Sequence, residues 1–95
     1  MRAYELMFII NPTLDEEKTE AVIEKVKGLV VKNEGEVEKT DKWGNKRLAY
    51  EIKDFKDGYY VVLYYKGPAG LAKELDRILK ITDEVLKHMI IRIEE

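Results

Sequence analysis

The sequence predicts an α+β domain whose elements follow one another in the order β-α-β-β-α-β, and three observations carry this prediction. Two apolar runs, at residues 3–10 and 59–66, are too short for helices and rich in strand-forming side chains. Two longer segments repeat apolar residues at helical spacing. Glycine, proline and asparagine separate these segments, so each is interpreted as an element of its own.

The first strand is predicted over residues 3–10, "AYELMFII", and an Asn-Pro step ends it. A helix is predicted to begin at Thr13, because Thr13 and Glu16 have the spacing of a capping box. Its apolar face consists of Val22, Val26, Leu29 and Val30. Asn33 and Gly35 are predicted to end this helix, with Gly35 in the left-handed conformation.

A long strand is predicted over residues 36–53, with a bulge or bend near Gly44. Its first half alternates polar side chains on both faces, which is typical of a polar edge strand. The sequence "KDG" at residues 56–58 predicts a hairpin turn. "YYVVLYYK", at residues 59–66, is the strongest strand in the chain, and a Gly-Pro step ends it.

A second helix is predicted over Ala69–Lys80, followed by a turn, "ITDE", and a last strand at residues 85–93. The apolar face of this helix consists of Leu71, Leu75, Ile78 and Leu79. The element order is that of the ferredoxin-like sandwich, a four-stranded antiparallel sheet with two helices on one face. Right-handed crossovers leave the other sheet face open. Residues 1–95 are predicted to form a single domain.

Charge is segregated along the chain. The formal net charge is −2, which argues against binding of nucleic acid by bulk electrostatics. Residues 13–38 hold eight acids and four lysines, net −4, whereas residues 39–56 hold six bases and three acids, net +3. A local basic surface is therefore expected within residues 39–56.

Several classes of protein are excluded by composition. The chain has no cysteine and no serine, so a Ser-His or Cys-His catalytic arrangement with its one histidine, His88, is excluded. No glycine-rich phosphate loop or metal-ligand spacing appears, and residues 11–13 lack the arginine expected of an acylphosphatase-type enzyme. No apolar run reaches the roughly 20 residues of a membrane span, and no signal peptide is recognisable. We expect a cytoplasmic protein with no enzymatic activity, cofactor, small-molecule substrate or membrane partner.

The segment "KWGNKRLAY", which begins at Lys42, has two interpretations that the residues alone leave open. In the first it is a solvated bend in which Trp43 shields a strand edge. In the second Lys46 and Arg47 contact backbone phosphate, because the planar fork of arginine matches phosphate oxygens. Trp43 or Asn45 then touches RNA or protein beside them.

Two further features bear on RNA binding. Arg2 and Arg92 are expected to join the basic surface, because the first and last strands of this fold can lie in one sheet. Residues 57–64, "DGYYVVLY", faintly resemble the third-strand motif of RNA-recognition domains, which stack bases on aromatic side chains. That match is partial, and the alternative is that alternate tyrosines pack in the core.

Over nearly its whole length the chain resembles the bacterial small-subunit (30S) ribosomal protein six family. The resemblance is carried by the start, "MRAYELMFIINPTLDEE", and by the central run "GEVEKTDKWGNKRLAYEIKDFKDGYYVVLYY". It continues through the final helix and strand, "LDRILKITDEVLKHMIIRI". Some relatives carry a tail after the last strand, whereas this sequence stops at Glu94 and Glu95.

The resemblance implies a structural constituent of the small ribosomal subunit, a cytoplasmic RNA-binding protein of translation. It implies binding to the central domain of 16S rRNA together with small basic ribosomal protein eighteen, whose charge would offset the acidic average of this chain. Carried over by position, the contact candidates are Arg2, Tyr4, Lys46, Arg47, Tyr50 and Arg92. With Trp43 and Asn45 they form the predicted RNA- or partner-binding set, in which contacts to RNA and to protein are not separated.

The alternative is a ferredoxin-like ligand-binding or regulatory domain without an RNA role. Such a domain would use the open sheet face for a small molecule or for dimerisation. The basic segment and the missing pocket motif favour the ribosomal interpretation.

Overall fold

The computed structural model describes residues 2–93, so the chain end at Glu94 and Glu95 lies outside the described residues. The elements are β1 (Arg2–Ile10), α1 (Glu16–Lys32), β2 (Glu36–Ile52), β3 (Phe55–Gly67), α2 (Ala69–Lys80) and β4 (Val85–Arg92). The strands form one antiparallel sheet in the order β2-β3-β1-β4. The predicted element order and the ferredoxin-like fold class are confirmed.

Both helices pack on the same face of the sheet, and the hydrophobic core lies between the helices and the sheet. Alternate residues of β1 and β3 point into it, because successive side chains of a strand face opposite ways. The residues of this core that are fully buried include Leu6, Phe8, Ile10, Ile23, Val30, Val61, Leu63 and Leu75. On the other face Met89 and Ile91 stay exposed, so the sheet has one covered and one open side.

The first helix begins later than predicted. Thr13 does not cap it, because the Thr13 hydroxyl and backbone N–H both donate to Oδ1 of Asn11, at 2.7 and 2.9 Å. The N-cap is Asp15, whose carboxylate accepts from the backbone N–H of Lys18 at 2.8 Å. The Asn11 side chain thus holds a turn after β1 and displaces the helix start to Glu16.

The predicted role of Gly35 is also wrong. Asn33 is the C-cap, but the left-handed residue after it is Glu34, with φ of 67°. A Cβ on Gly35 would lie 2.6 Å from Cδ2 of Leu71 and 2.9 Å from the carbonyl oxygen of Val30. Glycine therefore stands at position 35 because the end of α1 packs closely against α2.

The hairpin between β2 and β3 turns at a different place from the one predicted. Ile52 pairs with Phe55, and the two residues between them, Lys53 and Asp54, have φ of 50° and 69°. Two successive left-handed residues are the geometry of a type I′ turn. The "KDG" segment at residues 56–58 instead lies within β3.

The predicted irregularity near Gly44 is confirmed, as is the edge position of β2. Gly44 has φ of 81°, and the pairing with β3 shifts register between Lys42 and Gly44, leaving Trp43 as the extra residue. A bulge at this point twists an edge strand and discourages pairing with another chain.

Tyr65 carries an unsatisfied buried hydroxyl. Its ring stacks on Tyr4 with 5.2 Å between centroids, and its oxygen has no hydrogen-bond partner within residues 2–93. Tyr65→Phe is expected to leave the free energy of unfolding unchanged at neutral pH or to raise it by up to about 1 kcal/mol, because the substitution removes a buried polar group without changing shape.

The same substitution has a predicted pH dependence. Burial, and then the neighbouring Tyr4, raises the pKa of Tyr65 above its ordinary value of 10.0. The hydroxyl stays neutral in the fold while the unfolded chain ionises, so the natural protein loses stability as the pH rises above 10. The variant lacks this loss. Urea unfolding at neutral pH and at about pH 11 measures the free energy of unfolding of both proteins. A variant that is less stable than the natural protein at both pH values would contradict the prediction.

His88 ties the last strand to α2. Its Nε2 lies 2.7 Å from Oδ1 of Asp76, and Lys80 holds the other carboxylate oxygen at 3.1 Å. The hydrogen bond with His88, followed by the one with Lys80, holds the pKa of the Asp76 carboxyl below its ordinary value of 3.8. His88 therefore has a structural partner.

Asp76→Asn is expected to destabilise the protein at neutral pH and to lose this effect in acid. A depressed carboxyl pKa stabilises the fold above the ordinary value of 3.8, and that stabilisation disappears as the pH falls through the folded-state pKa. Urea unfolding of both proteins across this range measures the difference. Asp83→Asn, at an exposed turn carboxylate, is the matched control. A pH-independent difference would contradict the prediction.

Candidate nucleic-acid interface

The hairpin of β2 and β3 extends past the end of the sheet. Pairing between β1 and β3 stops at Ile10 and Tyr59, whereas β2 and β3 continue to pair beyond that point. Residues 46–58 therefore form a projecting segment, called the hairpin arm below. The arm carries four basic residues, Lys46, Arg47, Lys53 and Lys56.

Lys46 and Arg47 lie at the base of the arm and are exposed. Within residues 2–93 neither forms an ion pair with the protein. Lys42, nearby in the same strand, is instead bound to Glu20 of α1, and Lys39 lies 3.6 Å from Asp41. These two cations at the base of the arm therefore keep their charge available for an external anion.

Trp43 is the aromatic neighbour of these cations. Its ring stacks on Tyr60 with 6.3 Å between centroids and 13° between planes, and the side chain remains 50% exposed. Asn45 is exposed beside it and pairs across the strands with Tyr59. Trp43 thus packs against Tyr60 of β3 and keeps exposed surface for a partner.

Tyr50 is 62% exposed but engaged by another strand. The Lys87 ammonium on β4 donates to the Tyr50 hydroxyl at 2.7 Å and lies 5.2 Å from the ring centroid. The sequence offers no signal for this contact, because the two residues are 37 positions apart.

The structure divides the predicted site between the two ends of the sheet. β1 and β4 are neighbours, as expected, but Arg92 pairs with Tyr4, at the opposite end of β1 from the arm. A strand rises about 3.3 Å per residue, so Arg2 lies roughly 25 Å along β1 from Ile10, where the arm begins. The expected single surface with Arg2 and Arg92 is therefore not formed. These two exposed arginines make a second basic position.

Tyr4 belongs to the core. It is 6% exposed and stacks on Tyr65, so it has little surface to offer a partner. Residue type and position in the motif made Tyr4 a candidate. Because it is buried, Tyr4 is left out of the RNA-contacting residues that we propose.

The two tyrosines of β3 on the open face, Tyr60 and Tyr64, are partly buried, and each contacts another side chain. Tyr60 lies under Trp43, and Tyr64 lies under the ammonium of Lys39, 5.9 Å from the ring centroid. Base stacking of the RNA-recognition type needs bare aromatic faces. The described residues therefore favour contact through cations over base stacking on this sheet.

Other kinds of site are not formed by the described part of the chain. Among residues 2–93 no three histidine or acidic side chains come together in an arrangement able to hold a metal ion. None of the helices in this range is long and apolar enough to cross a membrane.

Fold and surface define the class of protein: a ferredoxin-like sandwich whose exposed cations lie on a projecting arm and at the opposite end of the sheet. The family model described as Ribosomal protein S6 matches residues 3–92. The chain belongs to the ribosomal protein S6 family. Its members are structural proteins, so the predicted resemblance and the expected lack of enzymatic activity are both confirmed.

Relatives and solved structures agree with this assignment. The chain is similar to small ribosomal subunit protein bS6 of Carboxydothermus hydrogenoformans, with 52% identity over 97% of this chain and 96% of the relative. It is similar to the bS6 protein of Moorella thermoacetica, with 46% identity over 100% of this chain and 97% of the relative. The crystal structure of 30S ribosomal protein S6 from Thermotoga maritima superposes with a TM-score of 0.92 at 34% identity, covering 97% and 87% of the two chains.

One further structure shows the fold alone. The P2 domain of the chemotaxis kinase CheA, solved in complex with the response regulator CheY from Thermotoga maritima, has a TM-score of 0.65 at 15% identity. It covers 97% of this chain and 98% of that domain. The ferredoxin-like sandwich thus occurs with a different function, and the surface rather than the fold has to carry the functional argument.

Proposed function

We propose that this chain is a structural constituent of the small ribosomal subunit in the cytoplasm. There it binds the central domain of 16S rRNA together with small basic ribosomal protein eighteen. Membership in the ribosomal protein S6 family supports the ribosomal role. The observation that carries the RNA contact is the pair of unpaired, exposed cations at the base of the hairpin arm.

Lys46 and Arg47 contact phosphate oxygens in this proposal, with Trp43 and Asn45 beside them. A guanidinium supplies two parallel hydrogen bonds to a phosphate, and an ammonium supplies a point charge. Such contacts depend on the position and charge of the phosphates and not on the identity of the bases. Two cations on an arm that projects from the sheet reach a backbone without contact from the rest of the domain.

Arg2 and Arg92 form a second contact at the other end of the sheet. Two contacts separated by the length of a strand fix the orientation of the domain on an extended partner better than one contact does. The net charge of −2 means that attraction is local, so the basic ribosomal partner supplies much of the positive charge of the complex.

The experiment that tests this function measures binding of the purified chain to a central-domain rRNA fragment. Binding is measured with and without the basic partner, at two salt concentrations. We expect binding only with the partner, weakening as salt rises, because each neutralised phosphate releases counterions. Absence of binding under all four conditions would refute the proposal and favour a ligand-binding or dimerising domain that uses the open sheet face.

A further inference from the structure

The hairpin arm contains a second irregularity in strand pairing, which the sequence does not predict. Arg47 pairs with Asp57 and Ile52 pairs with Phe55, so four residues, 48–51, stand opposite the single residue Lys56. This special bulge, with four residues opposite one, bends the strand directly after Lys46 and Arg47. It turns Leu48 and Tyr50 back toward the body of the domain, where both meet partners.

Leu48 is buried in a small apolar cluster separate from the main core. The cluster consists of Leu48, Ile9 of β1 and Leu86 of β4. Gly58 of β3 permits this approach, because a Cβ there would lie 2.2 Å from Cγ2 of Ile9 and 3.4 Å from Cδ2 of Leu48. The arm therefore packs against two strands with which it forms no sheet pairs in the described chain.

A polar contact reinforces the cluster. The Lys87 ammonium donates to the Tyr50 hydroxyl, so the tip side of the bulge is held to β4. Leu86 and Lys87 are adjacent in β4 and both contact the bulge. An isolated two-stranded hairpin is only marginally stable in water, so the arm needs such an anchor to keep one direction.

We propose that the cluster of Ile9, Leu48 and Leu86, together with the Lys87–Tyr50 contact, positions Lys46 and Arg47 for the phosphate backbone. Lys87 is thus a positioning residue that acts through the arm, and it does not touch the RNA. This inference rests on the proposed function. Its physical basis is that a held arm loses less conformational freedom when it binds.

The test is a double-mutant cycle in the complete complex of chain, partner and rRNA fragment. Lys87→Met is expected to weaken binding about two- to tenfold, the range of the net contribution of one hydrogen bond. In a background of Lys46→Ala and Arg47→Ala, measured at low salt, it should cause no further loss. Lys87→Arg keeps a donor for the Tyr50 hydroxyl and should restore binding. Equal loss in both backgrounds, or no loss in the natural chain, would overturn the proposal.

A second measurement needs no RNA. Amide hydrogen exchange of the free chain should show faster exchange across residues 46–58 in Lys87→Met, and faster still with Leu48→Ala added, while exchange in the helices stays unchanged. Unchanged exchange in the arm would overturn the anchor. If the natural chain fails to bind rRNA, the proposed function fails on its own, and hydrogen exchange alone decides whether the anchor exists.

Discussion

Lys46→Glu and Arg47→Glu, made together, are expected to abolish assembly with the rRNA fragment and the basic partner while leaving the fold intact. Each natural side chain offers a charge-assisted hydrogen bond to phosphate, and reversal places a repelling carboxylate there instead. Two such bonds are worth about 3 kcal/mol or more, so binding should fall at least about 100-fold. Both side chains are exposed, so the free energy of unfolding should change by less than about 0.5 kcal/mol.

The matched control is Lys25→Glu with Lys73→Glu, on α1 and α2. These lysines are also exposed, and the change in net charge is the same. The control should bind nearly as well as the natural chain, because its charges lie on the helices and not on the arm, and exposed charges are screened at physiological salt. Equal losses in the two double variants would show that net charge, and not the arm, governs binding. Unaltered assembly by the arm variant would remove Lys46 and Arg47 from the site.

Phe8→Ala is expected to produce a large loss of stability. Phe8 is 0% exposed and lies in the middle of β1, next to the central strand β3, on the face that both helices cover. Removing its ring forfeits the transfer free energy of the ring and leaves a cavity that packed neighbours fill only in part. The expected cost is about 3–5 kcal/mol. This loss is a large fraction of the roughly 5–15 kcal/mol that stabilises a small domain.

Met89→Ala is the control on the opposite sheet face. Met89 is 45% exposed and pairs with Met7, one position from Phe8. It should cost less than about 1 kcal/mol, because much of its surface is already in water. Urea unfolding at neutral pH measures both variants. Similar losses for Phe8→Ala and Met89→Ala would contradict the assignment of the core to one face of the sheet.

The elements themselves followed from local patterns in the sequence. Helical spacing of leucines placed α2 at Ala69–Lys80, and the structure has the same bounds. The apolar runs placed β1 and β3, although β3 begins earlier than predicted, at Phe55. These predictions succeed because period and breaker residues act between near neighbours, where a few positions decide helix or strand.

The predicted ends of elements were less accurate, and each error has a physical cause. Thr13 is a residue type that often caps helices, but its hydroxyl donates a hydrogen bond to Asn11 instead. Glycine at positions 35 and 58 indicated a left-handed cap and a turn, whereas both glycines are needed for close approach of side chains from other elements. A glycine has these two uses, and the sequence does not distinguish between them.

By itself the sequence determined the fold class, the family and the identity of the basic segment, because these depend on composition and on motifs in register. Only the tertiary structure decided how the candidates are distributed. It buried Tyr4, engaged Tyr50 with Lys87, and separated Arg2 and Arg92 from the arm. Whether a charged or aromatic side chain is free depends on which distant residues pack beside it, and that is settled by strand order, register and bulges.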